Sequence, residues 1–283
     1  MQTDSCNPSH TPDSAPVYDS AERRLPLLDE MRELARYRDL LWQMVARNLK
    51  TRYKRSVLGI FWTLLNPLLM MLILMMVFAA VFQVQARNYA VHALSGLVLW
   101  TFFSQTTAGA MSELVWGGGL MHRIYLPRMI FAATALGTGL VNLLLSLIPL
   151  FVIMLVTGVP IRPSWLFLPV PVLLVAMFTF GMALLLSTLA AYFADVLDMY
   201  QLFLVAWMYL TPIIYPKEIV PARLQWIMNL NPMYHLLETF RAPLYGSIAG
   251  PKTLTAAIAV AVGTFLFGWW IFARKADEIA YRI

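Results

Sequence analysis

Charge is what this sequence has least of. Only 13% of its 283 residues are charged, about half the roughly 25% of an ordinary soluble domain. It has 15 acids and four histidines. A soluble fold needs a polar shell that these residues cannot supply. That excludes a water-soluble enzyme. With 60% hydrophobic residues, it also excludes a disordered binder. Cysteine is represented by Cys6 alone, which rules out an intramolecular disulfide and any Cys-based metal cluster. His10, His92, His122 and His235 are scattered without metal-ligand spacing, so no metal site is expected. No G-x-x-x-x-G-K-[ST] run and no Gly-Lys pair occurs. The chain is not expected to bind a nucleotide itself.

What is present is apolar sequence in long runs. A helix that crosses about 30 Å of hydrocarbon needs roughly 20 residues. Six runs come near or above that length: 58–82, 91–114, 129–156, 166–191, 197–215 and 254–273. They predict an all-α integral membrane protein with six transmembrane helices. The alternating ten-residue pattern of a transmembrane barrel is missing. Pro149, Pro169 and Pro171 lie within or near the ends of runs three and four, where local kinks are expected. No Asp, Glu, Lys or Arg falls in the middle of a run; Glu113 and Asp198 sit at ends. Ion-coupled carriers need ionisable groups at membrane depth, so that class is disfavoured. Asn142 is the main amide inside a run and reads first as a helix-packing group.

The basic residues orient the six runs. Fifteen of the 21 Lys and Arg fall on the side of the N-terminus, so both termini are expected in the cytoplasm. This excess speaks for membrane topology rather than nucleic-acid binding. Residues 1–26 are rich in Ser, Pro and Asp and lack an apolar signal-peptide core. They read as a disordered cytoplasmic tail. Residues 27–57 form the next region. Within it, Leu34, Tyr37, Leu41, Met44, Val45 and Leu49 share one helical face, and Arg36, Asp39, Gln43, Arg47, Lys50 and Lys54 the other. This predicts an amphipathic helix at the interface. It is open whether the helix is a membrane anchor, or a gate or docking surface for a cytosolic partner. Residues 58–283 make the six-span domain. Its long loop 216–253 contains apolar stretches broken at Asn231–Pro232 and reads as short re-entrant helices before the last span.

Four stretches occur together in a telling order: RNLKTRYKRSVLGIFWTLLNP (47–67), GGLMHRIYLPR (118–128), TPIIYPKEIVP (211–221) and NPMYHLLETFRAPLYG (231–246). They resemble the membrane subunits of ATP-binding-cassette exporters of cell-surface polysaccharides, the permeases for O-antigen, capsule and teichoic acid. The look is closest to the O-antigen type. The resemblance implies a homodimer in a bacterial inner membrane that moves a lipid-linked polysaccharide. Two copies of a separate ATPase subunit would bind the ATP, so the permease would be a transport subunit with no cofactor of its own.

The resemblance also assigns expected roles. Gly118, Gly119, Leu120, Met121, His122 and Arg123 would couple to the ATPase. Arg47, Lys50, Arg52, Tyr53, Lys54 and Arg55 would form a gate helix near the lipid headgroup; plain attraction to anionic lipid is the simpler reading. Trp100, Phe102, Phe103, Trp207 and Tyr209 are candidate pore aromatics, because rings offer flat surfaces to the C–H faces of sugars. The same rings also fit ordinary bundle packing and interfacial belts. One departure is Ala194–Asp195, where the family often has an Arg-Asp pair. Two alternatives stay open: an exporter of a drug or small lipid on the same architecture, and a membrane-embedded enzyme using loop carboxylates.

Overall fold

The computed structural model describes residues 34–54, 58–59, 61–81, 86–121, 127–160, 162–193 and 195–282. The expected tail 1–26 lies outside them. The described residues form helices and their connections, with no strand among them. Among the described residues, the α-helices with both ends placed follow in order: α1 (Arg38–Tyr53), α2 (Phe61–Val81), α3 (Ala86–Met121), α4 (Met129–Val156), α5 (Pro169–Tyr192), α6 (Val196–Leu210), α7 (Gln225–Leu230), α8 (Pro232–Leu244) and α9 (Pro251–Arg282). Short 3-10 turns at Pro163–Phe167, Lys217–Ile219 and Ala222–Leu224 link some of them.

Among the described residues, four segments are long and apolar enough to cross a membrane: Phe61–Phe78, Met129–Val156, Pro163–Tyr192 and Pro251–Lys275. Their exteriors match that reading. On α2, Leu69, Met70, Leu72, Ile73, Met76 and Val77 are all exposed, which only a hydrocarbon surround or a protein neighbour would tolerate as a continuous face. The 36-residue α3 would extend about 54 Å at 1.5 Å per residue. It packs against α2, α4 and α5.

The structure redraws two boundaries. The expected 115–128 loop is helical as far as Met121, through Gly117, Gly118 and Gly119. Packing explains the first of these glycines: a Cβ at Gly117 would sit 2.8 Å from the Phe131 ring. The expected fifth run, 197–215, is a 15-residue helix that stops at Leu210, about 22 Å long. Pro212 causes the stop, because its ring disfavours helical backbone in the preceding residue. Thr211 is extended, with φ −101° and ψ 135°.

Prolines elsewhere obey local rules. Pro169 and Pro171 stand at the start of α5, where a missing N–H costs little. Pro149 and Pro67 lie inside α4 and α2. Helix α4 ends in a glycine cap: Gly158 adopts φ 66°, its N–H donates to Leu155 O at 2.9 Å, and Val159 N–H donates to Met154 O at 2.8 Å. This is the Schellman arrangement that satisfies the last carbonyls.

Lipid offers no hydrophobic drive for helix association, so close backbone packing and internal hydrogen bonds hold such a bundle. Helices α5 and α9 meet through Gly181 and Gly268. A Cβ at Gly181 would stand 2.6 Å from the Phe265 backbone nitrogen, and one at Gly268 would collide with the Gly181 carbonyl. At the centre, Phe103 stacks on Phe178 at 5.5 Å and meets Trp207 edge-on at 5.2 Å. Trp100 meets Trp207 edge-on at 6.1 Å. Each such pair contributes about 0.5–1.5 kcal/mol beyond area burial.

Candidate functional site

The polar chemistry of the bundle gathers at its two ends. At one end lies α1. The expected apolar face is partly buried on the bundle: Leu41 and Met44 of α1, with Leu34 and Tyr37 just before it, pack against a core that includes Ile130 and Ala133 of α4. Val45, 3% exposed, fills the notch left by Gly137, where a Cβ would come 2.9 Å from its Cγ2. The Thr134 hydroxyl donates to the Met44 sulfur at 3.8 Å. The Asn48 amide donates to Glu113 Oε1 on α3 at 2.6 Å. Helix α1 is therefore docked on α3 and α4 by both packing and a polar contact.

The opposite side of α1 is open. Arg47, Lys50 and Lys54 are exposed. The side chains of Arg52 and Tyr53 and the whole of Arg55 lie outside the described residues. Arg38 falls on the apolar side in the sequence pattern, but it is exposed and lies 3.8 Å from Asp39. In the coupling stretch, Gly118, Gly119, Leu120 and Met121 end α3, with side chains outside the description; His122 and Arg123 lie outside it altogether. Just before them, Trp116 is 82% exposed. The sequence reading passed over it.

At the other end, α8 is held by two residues to which the sequence reading gave no such role. Arg241 is 3% exposed. It donates to Pro212 O and His92 O at 2.8 Å each, to Ile213 O at 3.2 Å and to the Ser95 hydroxyl at 3.3 Å. Two of these carbonyls follow the end of α6, where no helical N–H reaches them. A cation inside an apolar helix was the available signal: LLETFRAPL at 236–244 places a charge where it must find partners.

Asn231 is the second. Its side-chain oxygen caps α8 by accepting from Met233 N–H at 3.0 Å, and also accepts from the Trp207 indole at 2.9 Å. Its amide donates to the Thr211 hydroxyl at 2.9 Å. An Asn-Pro pair before an apolar run is a helix-start signal. The sequence reading used it only as an interruption. Outside this knot, Lys217 Nζ lies 2.8 Å from Glu238 Oε2, and that hydrogen bond holds the Lys217 amine above its usual pKa.

The candidate pore aromatics divide. Trp100, Phe102, Phe103 and Trp207 are buried inside the chain, where Trp100, Phe103 and Trp207 cover one another. Tyr209 is 60% exposed, and its carbonyl accepts from the Tyr215 hydroxyl at 3.0 Å. Asp195 and Asp198 are exposed. Among the described residues, no cluster of three or more His, Cys, Asp or Glu could hold a metal ion.

Known proteins resemble this chain in sequence. An O-antigen export system permease protein of Myxococcus xanthus is 32% identical over 260 residues, which is 89% of this chain and 98% of that protein. One of the same description from Klebsiella pneumoniae is 28% identical, over 72% of this chain and 79% of its own length. A capsule polysaccharide export inner-membrane protein of Neisseria meningitidis serogroup A is 24% identical, over 72% of this chain and 78% of that one. The family model described as ABC-2 type transporter matches residues 39–245, from the start of α1 to the end of α8. The chain is a multi-pass membrane protein and belongs to the ABC-2 type transporter family.

Proposed function

We propose that this chain is the permease subunit of an ATP-driven exporter that carries a lipid-linked polysaccharide of the O-antigen kind across a bacterial inner membrane. The observation that carries this reading is the 32% identity over nearly the full length of a protein named for O-antigen export. The lack of a nucleotide-binding motif supports an energy source on another chain. In this reading α2, α3, α4, α5, α6 and α9 are the six spans, and α7 and α8 are the re-entrant helices that narrow the outer mouth. Both termini face the cytoplasm. Helix α1 lies at the cytoplasmic surface, where Arg47, Lys50 and Lys54 meet the anionic headgroup. Residues 118–123 enter a cleft of the ATPase, and two permease chains with two ATPases make the unit. Trp207 and its neighbours stabilise each half, and Tyr209 is left as the aromatic available to the pore.

The capsule-export relative supports the wider substrate class, a lipid-linked glycan. The test is co-expression with a candidate ATP-binding-cassette ATPase subunit from the same genome, in a host that makes the glycan. A stable complex is expected, with surface glycan lost on deleting the permease. Drug-stimulated ATPase activity that ignores lipid-linked glycans would replace this reading with the drug-export alternative. Turnover by the purified single chain would favour a membrane enzyme.

A further inference from the structure

The connection between α4 and α5 turns at the end of the bundle opposite α1. Helix α4 packs on α1 near its own start and ends at Val156. The next apolar segment begins at Pro163. Arg162 therefore stands where the chain leaves the hydrocarbon and returns to it.

A cavity of 620 Å³ opens here, between the 3-10 turn Pro163–Phe167 and the end of α8. Arg162, Ser164, Leu166, Gly246, Ser247 and Ile248 are on its wall. Gly246 makes the room. Its φ of 87° suits glycine, and a Cβ there would collide with the Arg162 side chain. Among the described residues on this wall, none is Asp or Glu.

The end of α8 does not need the Arg162 guanidinium. Pro243 O already accepts from the Ser164 hydroxyl at 2.8 Å and from Gly246 N–H at 3.1 Å. Ala242 O accepts from Ser247 N–H at 3.0 Å. Arg241 spends its donors on carbonyls, but the Arg162 guanidinium has no hydrogen-bond or ion-pair partner among the described residues. Five N–H donors in a planar fork match a phosphate. The hydroxyls of Ser164 and Ser247 use their protons inside the protein, so their oxygens are left to accept from a headgroup hydroxyl.

Below this polar seat the surface turns apolar. Leu166 is 88% exposed, and Val170 and Leu173 are exposed after it. They lie four and then three residues apart, the spacing of one helical face, and descend about 10 Å along the start of α5. A cation and two acceptors above an open apolar stripe match a phosphate, a polar headgroup and an acyl chain in that order. Free phosphate would leave the stripe uncovered.

We propose that this cavity binds one anionic phospholipid, whose phosphate sits on Arg162 and whose acyl chain lies along Leu166, Val170 and Leu173. The lipid bridges the α4–α5 connection and the end of α8. It belongs to the leaflet away from α1, and the site does not depend on the exporter's cargo.

The test uses the full chain with the photo-crosslinking residue p-benzoylphenylalanine in place of Leu166, or of Ile258, an exposed residue of α9, as reference. Each protein is placed in vesicles of one part phosphatidylglycerol to three parts phosphatidylethanolamine, and the crosslinked lipids are identified by mass spectrometry. At position 166 phosphatidylglycerol is expected at least fivefold above its share of the vesicle, and at position 258 at that share. Equal shares at both positions overturn the site, as does a crosslink to protein in place of lipid at 166. This comparison needs no change at 162.

Arg162→Gln is expected to bring the enrichment at 166 down to the vesicle share. Arg223→Gln, which removes another exposed basic residue of the 216–253 loop, should leave it unchanged. Equal loss in both would mean general attraction to anionic lipid and would overturn a defined site. Millimolar inorganic phosphate should leave the enrichment in place. If it abolishes the enrichment, the seat takes free phosphate and the lipid assignment falls.

Discussion

The guanidinium of Arg241 donates to the carbonyl oxygen of Pro212 at 2.8 Å. Pro212 is what ends α6, and Arg241 satisfies the carbonyls that this ending frees. A helix break at membrane depth survives only where its backbone groups find partners within the protein. These two residues therefore explain each other, and with His92 and Ser95 they tie α8 to α3 and α6.

Removing that partner is expected to be costly. Arg241→Ala strands the carbonyls of Pro212 and Ile213, each at about 1–3 kcal/mol, while His92 O keeps the Ser95 hydroxyl as its donor. The melting temperature of the detergent-purified protein should drop sharply. Arg241→Lys should recover only part of the loss, because an ammonium lacks the planar fork that reaches several carbonyls at once. A melting curve for Arg241→Ala that overlays the parent would refute this account.

Asn231→Ala is expected to remove the cap of α8, about 1 kcal/mol, and to leave the Trp207 indole N–H unsatisfied. Asn231→Asp keeps an acceptor for Met233 and Trp207 but loses the donor to Thr211. Its stability should fall between the two. Thermal melts followed by tryptophan fluorescence would rank the three proteins.

Glycine substitutions on α9 and α5 should separate by position. Gly181→Val forces a side chain into the Phe265 backbone and is expected to abolish the folded monodisperse peak in size-exclusion chromatography. Gly263→Ala is expected to be harmless, since a Cβ there meets nothing within 4 Å.

Trp116 offers a test of coupling. It is an exposed indole just before residues 118–123, and tryptophan is enriched among residues that dominate interfaces. Trp116→Ala is expected to weaken co-purification of the ATPase at least tenfold without lowering the melting temperature of the permease. Unchanged co-purification would place the ATPase contact elsewhere.

The Lys217–Glu238 pair has a readable pH dependence. Lys217 has its pKa raised in the folded protein, first by the hydrogen bond to Glu238. The stability it contributes is therefore fully present below the unfolded lysine value of about 10.4. It is lost only as pH rises through the higher folded value. Between pH about 6 and 9, Lys217→Met should shift the melting temperature by a constant small amount. A shift that varied across this window would mean that another group titrates with the pair.

The sequence alone determined the membrane class, the family and the positions of the long helices. The reason is physical: lipid demands uninterrupted apolar runs and internally satisfied backbone, and both show in one dimension. The run expected at 129–156 is the helix Met129–Val156, and the break at Asn231–Pro232 is the start of α8. The tertiary structure alone decided where polarity goes. The sequence presents Arg241 as one outer basic residue among six, and only the meeting of α3, α6 and α8 makes it a staple. It presents the aromatics of runs two and five as equal candidates, and only packing buries Trp100, Phe103 and Trp207 together and leaves Tyr209 outside. Asn48, Thr106, Glu113 and Asn142 stand far apart in the chain, and the cavity they share exists because α1, α3 and α4 come together. Such relations depend on contacts between residues far apart in the chain, which helical periodicity does not encode.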